Sequence, residues 1–201
     1  MNFTHPFLDP DGDKLREECG IFGVIGTSDA AAMTALGLHA LQHRGQEAVG
    51  IVSLDGQEFY SHRGIGHVAQ VFSSNQIFDG LPGSVASGHV RYSTTGGSGL
   101  RNIQPLFADL AAGGFSIAHN GNISNAMHLK KELVSKGSIF QSTSDTEVII
   151  HLIATSRFPK LLDRFVDALR MVEGAYSLIC MTPKRMVACR DPLGIRPLVM
   201  G

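Results

Sequence analysis

Cys19 heads a short apolar run, Gly20-Ile21-Phe22-Gly23-Val24-Ile25, and of all the side chains in this sequence it is the best candidate for a nucleophile. A thiol ionises near ~8.5 and an α-amino group near ~7.7–8.0. If the chain is cut ahead of Cys19, the new terminal amine can take the proton of its own sulfur, with no histidine required. An amide nitrogen is not basic, so the uncut chain lacks that base. Residues 1–18 carry Pro6, Pro10, Gly12 and several acidic side chains without sustained periodicity. They read either as a loose terminus or as a pro-segment that must leave. A lone cysteine at a strand also has a plainer use, as a small buried hydrophobe.

Other reactive side chains are more ambiguous. His39 and His43 stand four apart, a possible metal pair, but no carboxylate or cysteine accompanies them in a metalloprotease pattern, and no metal is expected. The Ser93–Gly99 loop is glycine-rich yet lacks the lysine of a phosphate-binding loop. A two-residue turn at Lys184-Arg185 would set Cys180 opposite Cys189; a reduced pair is expected, since nothing points to an oxidising compartment. The guanidinium fork of Arg91 suits a planar carboxylate, but a surface ion pair uses the same residue. Asn120-Gly121 is also a common turn dipeptide, and Asp145 has a sufficient plain reason to open a helix, because the dipole there favours a carboxylate.

Composition bounds the answer. A length of 201 residues gives one domain as the expectation and enough chain for a real core. Hydrophobic residues at 43% and charged residues at 17% are those of a folded globular protein. A net charge of -1 gives no electrostatic reason to expect nucleic acid or an anionic membrane as partner. No apolar run is long enough to span a bilayer, and residues 1–18 lack the basic and apolar parts of a secretory signal. Three cysteines without metal-ligand spacing argue against a disulfide scaffold. A cytoplasmic protein with reduced thiols is expected.

The elements that must position these residues follow from pattern. A strand over 20–25 has apolar side chains on both faces. Ser28 is expected to cap a helix over 29–43 with Met33, Leu36, Ala40 and Leu41 on its buried stripe. Strands over 48–54 and 57–62 join at Asp55-Gly56, a strong hairpin signal. A short helix near 68–72 and a strand over 84–92 precede the glycine-rich loop. A second hairpin pairs 106–110 with 115–119, and Asn122 or Ser124 then caps a helix ending near Lys136. Ser144-Asp145-Thr146-Glu147 fits a capping box for a helix reaching Thr155. Pro159 opens a further helix with Leu162, Phe165, Leu169 and Val172 inward and Gly174 at its end. Strands are expected over 175–181, over 186–190 and from Leu198 onward. Strands, then helices, then strands argue for an α+β architecture, and the strand-like finish at Leu198–Gly201 suggests a piece of a longer protein.

Six segments resemble a known family: Cys19-Gly-Ile-Phe-Gly-Val, Leu41-Gln-His-Arg-Gly-Gln, His89-Val-Arg-Tyr-Ser-Thr-Thr-Gly, His119-Asn-Gly-Asn, Thr143-Ser-Asp-Thr-Glu and Arg190-Asp-Pro-Leu-Gly-Ile-Arg-Pro-Leu. In this order they resemble the class II glutamine amidotransferases, which are N-terminal-nucleophile enzymes, and most closely the glutaminase half of the amidophosphoribosyltransferases. The leader ending Arg16-Glu17-Glu18 is similar to the propeptide of one branch of that family. The resemblance implies a four-layer αββα sandwich, truncated at its C-terminal side, with residues 1–18 as propeptide and 19–201 as the amidotransferase domain.

It also implies roles. Cys19 would attack the side-chain amide of glutamine, with the Asn120 amide and the Gly121 N–H holding the oxyanion. Arg91 would bind the α-carboxylate and Asp145 the α-ammonium, with a further hydroxyl contact from Thr94. Gly45 would border the pocket, leaving Arg44 a structural contact. The partners implied are glutamine, a phosphoribosyltransferase domain of the same polypeptide and further copies of the full-length chain. No cofactor is implied for the glutaminase half; magnesium and a 4Fe-4S cluster would belong to the full-length enzyme. Ammonia released here would reach phosphoribosyl pyrophosphate to make 5-phosphoribosylamine in purine biosynthesis. Glucosamine-6-phosphate synthase and asparagine synthetase share the cysteine and the Asn-Gly pair but are less similar at the leader and at Arg190–Leu198. An inert zymogen or a glutamine-binding module is the reading from a different class.

Overall fold

The computed structural model describes residues 19–92, 100–111 and 113–201. Thr94, the rest of the Ser93–Gly99 loop and the expected propeptide over 1–18 lie outside them. Two four-stranded antiparallel sheets form the centre. The first has the order β1-β4-β2-β3, built from β1 (Gly20–Ile25), β2 (Ala48–Asp55), β3 (Glu58–Ile65) and β4 (Val85–Arg91). The second has the order β5-β6-β7-β8, built from β5 (Leu106–Leu110), β6 (Gly113–Ile123), β7 (Gly174–Thr182) and β8 (Arg185–Arg190).

Helices cover the outer faces. Helix α1 (Ala30–Ala40) and the short α2 (Val68–Val71) and α3 (Asn75–Asp79) accompany the first sheet. Helices α4 (Ala126–Ser135), α5 (Thr146–Thr155) and α6 (Leu161–Leu169) share a core with the second. One apolar cluster joins Ala31, Leu38, Val49, Ile51 and Val90, and another joins Phe115, Ile117, Ile149, Ile153, Phe165 and Leu178. This is the expected αββα sandwich.

Helix α1 corrects the expected stripe by about one residue. Met33 is 46% exposed and Leu36 71%, and Ala40 is exposed too, while Ala30, Ala31, Thr34, Ala35 and Leu38 are buried. The reason is close packing. A methyl group on Gly37 would sit 2.5 Å from the Phe22 ring, and one on Gly88 would sit 2.6 Å from Leu38. Only the small face of α1 fits so near a sheet. The helix also stops at Ala40, with a 3₁₀ turn over Gln42–Arg44, so His39 and His43 do not share one helical face.

Other differences are local. Asp29, not Ser28, stands at the N-cap of α1, and Asn125 at that of α4. The expected capping box at α5 is absent, because the Glu147 carboxylate turns back to accept bonds from Gln141 N–H, Ser142 N–H and Ser142 Oγ–H. The β7–β8 register pairs Thr182 with Arg185, so the turn is Pro183-Lys184 and Cys180 faces Val187 while Cys189 faces Leu178. Residues 198–201 form no strand; Pro197 is held instead through its carbonyl by Ser177 Oγ–H at 2.9 Å.

The sheets are aligned so that β4 and β6 climb in the same direction. Near the start of β6, Gly114 meets Phe59 and Phe107. Further along, Gly50, which is level with His89, lies against the Gln104 carbonyl, and the Gln104 side chain is bonded to His119 N–H. The C-terminal ends of β4 and β6 therefore lie at one end of the sandwich.

Candidate active site

Cys19 is held through both its backbone and its sulfur. Its N–H donates to the Arg44 carbonyl at 2.9 Å, and Arg44 Nε–H donates back to the Cys19 carbonyl at 2.9 Å. The sulfur lies between the two polar groups of Tyr92, 3.5 Å from its N–H and 3.6 Å from its carbonyl oxygen. Since β1 pairs Gly20 with Val90, the position before it is level with Arg91. Cys19 has φ 67, an uncommon left-handed geometry for a residue with a side chain. The turn over Gln42–Arg44 makes the clamp possible, and Gly45 is required beside it. A methyl group there would sit 2.6 Å from the Val90 carbonyl carbon and 2.8 Å from Arg91 N. Arg44 thus is the structural contact the sequence indicated, and Gly45 packs flat on the strand that carries Arg91.

Asn120 and Gly121 are not in a turn. They lie inside β6, opposite Ser177 and Tyr176 of β7. Tyr176 sends both its backbone groups the other way, its N–H to Asp191 Oδ1 at 3.2 Å and its carbonyl to Asp191 N–H at 2.8 Å. In an antiparallel ladder the partner of such a residue points its own N–H outward. Three N–H groups of β6 consequently share the edge where β5 has run out. That of His119 is taken by Gln104 Oε1 at 2.8 Å and that of Ile123 by Asp145 Oδ2 at 2.9 Å. The Gly121 N–H lies between them. Gly121 has φ 145, and a methyl group there would be 2.1 Å from the Ala175 carbonyl oxygen, so only glycine fits. Asn120 is buried, and its Oδ1 has no hydrogen-bond partner among the described residues. A buried amide oxygen of that kind is costly unless something fills the place.

Asp145 stands at the N-cap of α5, on the helix side of β6. Burial pushes its carboxyl up, but His119 and the N–H groups of Ile123 and Thr146 outweigh this and hold it below the usual carboxylate range. His119 Nδ1 is 3.6 Å from Asp145 Oδ1 and 3.0 Å from Thr146 Oγ1, which also accepts a bond from Gln104 Nε2 at 3.0 Å. The second carboxylate at this end, Asp191, accepts from Ile195 N–H at 2.8 Å, Arg196 N–H at 3.0 Å and Tyr176 N–H. It folds the Arg190–Leu198 segment into a loop beside Asn120 and Gly121.

The fold therefore brings Cys19 level with Arg91, sets Asn120 and Gly121 on the facing strand at the same end, and puts Asp145 one layer further out. Sequence reasoning missed Gln104, Thr146 and Tyr92. The one available signal was Gln104-Pro105 just before a strand, a place where a side chain can replace a missing ladder partner. Among the described residues no three His, Cys, Asp or Glu side chains converge as a metal-ligand set, and no helix is long and apolar enough to cross a membrane.

The chain matches the glutamine amidotransferase domain family over residues 89–201, more than half its length. It is 57% identical to an amidophosphoribosyltransferase of Rhizobium etli, over 100% of this chain and 41% of that protein. It thus spans about two fifths of that relative. A solved glutamine phosphoribosylpyrophosphate amidotransferase of B. subtilis, complexed with ADP and GMP, superposes with a TM-score of 0.82 at 44% identity, covering 88% of this chain and 38% of that one. A second, described as the allosteric regulatory enzyme of purine biosynthesis, gives a TM-score of 0.84 at 45% identity over 88% and 38% of the two chains.

Proposed function

The chain belongs to the family of glutamine amidotransferase domains, and on that premise we propose that it hydrolyses glutamine to glutamate and ammonia with Cys19 as an N-terminal nucleophile. The observation that carries this is the setting of Cys19: a thiol bracketed by Tyr92, level with Arg91, whose nitrogen is already held by the Arg44 carbonyl. Removal of residues 1–18 turns that nitrogen into an amine without disturbing the clamp. The amine takes the thiol proton, and the thiolate adds to the carboxamide carbon. Asn120 Nδ2–H and Gly121 N–H stabilise the oxyanion, the ammonium proton passes to the departing nitrogen, and ammonia leaves. Water, deprotonated by the same amine, then cleaves the thioester to glutamate. Arg91 and Asp145 bind the α-carboxylate and α-ammonium of the substrate, and Thr94 contributes a hydroxyl.

In the longer protein, the ammonia aminates phosphoribosyl pyrophosphate to 5-phosphoribosylamine, on a phosphoribosyltransferase domain of the same polypeptide. The names of the relatives support this acceptor and a place in purine biosynthesis. Magnesium and a 4Fe-4S cluster go with that second domain, a homo-oligomer is the assembly, and the cytoplasm is the location. The test is twofold. Processed chain should release glutamate and ammonia from glutamine, and full-length protein should consume phosphoribosyl pyrophosphate with glutamine. Amination of a sugar phosphate or of aspartate instead would assign the domain to the glucosamine-6-phosphate synthase or asparagine synthetase type.

A further inference from the structure

A cleft lies away from Cys19, between the edge strands of the two sheets. Phe59, Ser61 and Arg63 alternate along the inward face of β3, and Val52 on β2 and Phe107 on β5 complete a cleft of about 400 Å³. Strand β4 lies between its lining strands, β2 and β3, and β1 with Cys19. The Phe59 and Phe107 rings meet at 5.1 Å between centroids and wall one end. Arg63 is at the other end. Its Nε is buried with no hydrogen-bond partner, and no described carboxylate pairs with it. Asp109, the acidic residue on the same face of β5 as Phe107, lies beyond Phe107 towards the hairpin, level with Gly114, on the side away from Arg63.

A half-buried guanidinium whose Nε–H is buried without an acceptor is costly, because that donor goes unmatched and the charge has no described counter-ion. Burial also lowers its pKa, the direction expected of a cation that lacks a counter-charge. Its fixed fork selects planar or tetrahedral oxyanions. The aromatic pair beside it selects a flat apolar body, and the Ser61 hydroxyl adds one donor or acceptor. We propose that this cleft binds a small organic anion, an aromatic or similarly flat group bearing a carboxylate or phosphate, at a site separate from the glutamine site. Such binding is independent of the reaction assigned to Cys19.

The test titrates the 201-residue chain with benzoate and with phenyl phosphate, using inorganic phosphate and benzyl alcohol as charge-only and ring-only controls. Resonances of Arg63 Nε–H, Phe59 and Phe107 report occupancy. The expected result is saturable one-site binding of at least one aromatic anion with Kd at or below about 1 mM. The better of the two anions identifies the headgroup. Arg63→Gln should weaken it at least tenfold, and Phe107→Ala should also weaken it, with glutamine hydrolysis unchanged. Arg63→Lys, which keeps the charge but loses the fork, covers the case in which Arg63→Gln fails to fold. The proposal is overturned by an absence of saturable binding, by equal affinity in a folded Arg63 variant, or by inorganic phosphate alone binding as tightly as the aromatic anions.

Discussion

At the scale of residues, the three thiols of this chain are in different electrostatic settings. Cys19 is partly exposed beside the polar groups of Tyr92 and near Arg44. Burial pushes the Cys189 thiol up to about 11, and the fully buried Cys180 is also raised well above the usual thiol value, by burial and by Cys189. Thiolate is the reactive form, so iodoacetamide at about pH 8 should modify Cys19 in folded protein well before the other two. Peptide mapping that found Cys189 labelled first would contradict this ordering. Asn120 belongs to the same scale. Losing one oxyanion donor typically costs about 2.7–4 kcal/mol of transition-state stabilisation. Asn120→Ala should therefore lower kcat by about 10²–10³ with a small change in KM. A KM effect alone would mean that Asn120 holds substrate and not the oxyanion.

At the scale of elements, Gly121→Ala should unseat the end of β6 from β7, lowering Tm and abolishing glutamine hydrolysis together. A variant with native Tm and full activity would show that the close approach to Ala175 is dispensable. His89 is wholly buried between the sheets, and burial, reinforced by His119 and Arg91, lowers it to about 3. Its folded pKa is below the unfolded value, so its neutral form contributes stability that is fully present above about 6.5. As pH falls from about 6.5 towards about 5.5, before most carboxylates titrate, stability should drop by up to about 1.4 kcal/mol per unit. Denaturant midpoints across that window should flatten in His89→Gln.

The legible elements were those with strong periodicity or well-marked turns. The β2–β3 hairpin at Gly56 and the helix α5 follow from alternation, turn residues and apolar spacing. The β5–β6 hairpin and α6 follow in part, since Gly113 and Gly114 are already paired within β6, and α6 runs from Leu161 with Lys160, not Pro159, ahead of it and leaves Leu162 exposed. The stripe of α1 did not, because hydrophobicity ranks Met33 and Leu36 above Ala31 and Thr34, whereas fit against Phe22 and Gly88 reverses that order. The place of Asn120-Gly121 inside a strand was not legible: local preference reads the pair as a turn, and pairing with β7 overrides that preference. Gln104 had only the faint signal of a residue ahead of Pro105 and a strand, and Thr146 had none, because its partners Gln104 and His119 are far away in the sequence.

At the scale of the whole molecule, the groups assigned to glutamine hydrolysis lie between Cys19 and Arg196: the clamped nucleophile, the outward N–H of β6, and a loop folded around Asp191. The chain alone should release its ammonia to solvent, with no change in rate when phosphoribosyl pyrophosphate is added, whereas full-length protein should couple the two. All of this depends on a terminal amine at position 19 accepting the proton of its own sulfur. Amino-terminal sequencing of the enzyme, combined with its glutaminase rate, is the decisive experiment. The rate should scale with the fraction of chains that begin at Cys19; full activity from chains that still begin at Met1 would contradict it.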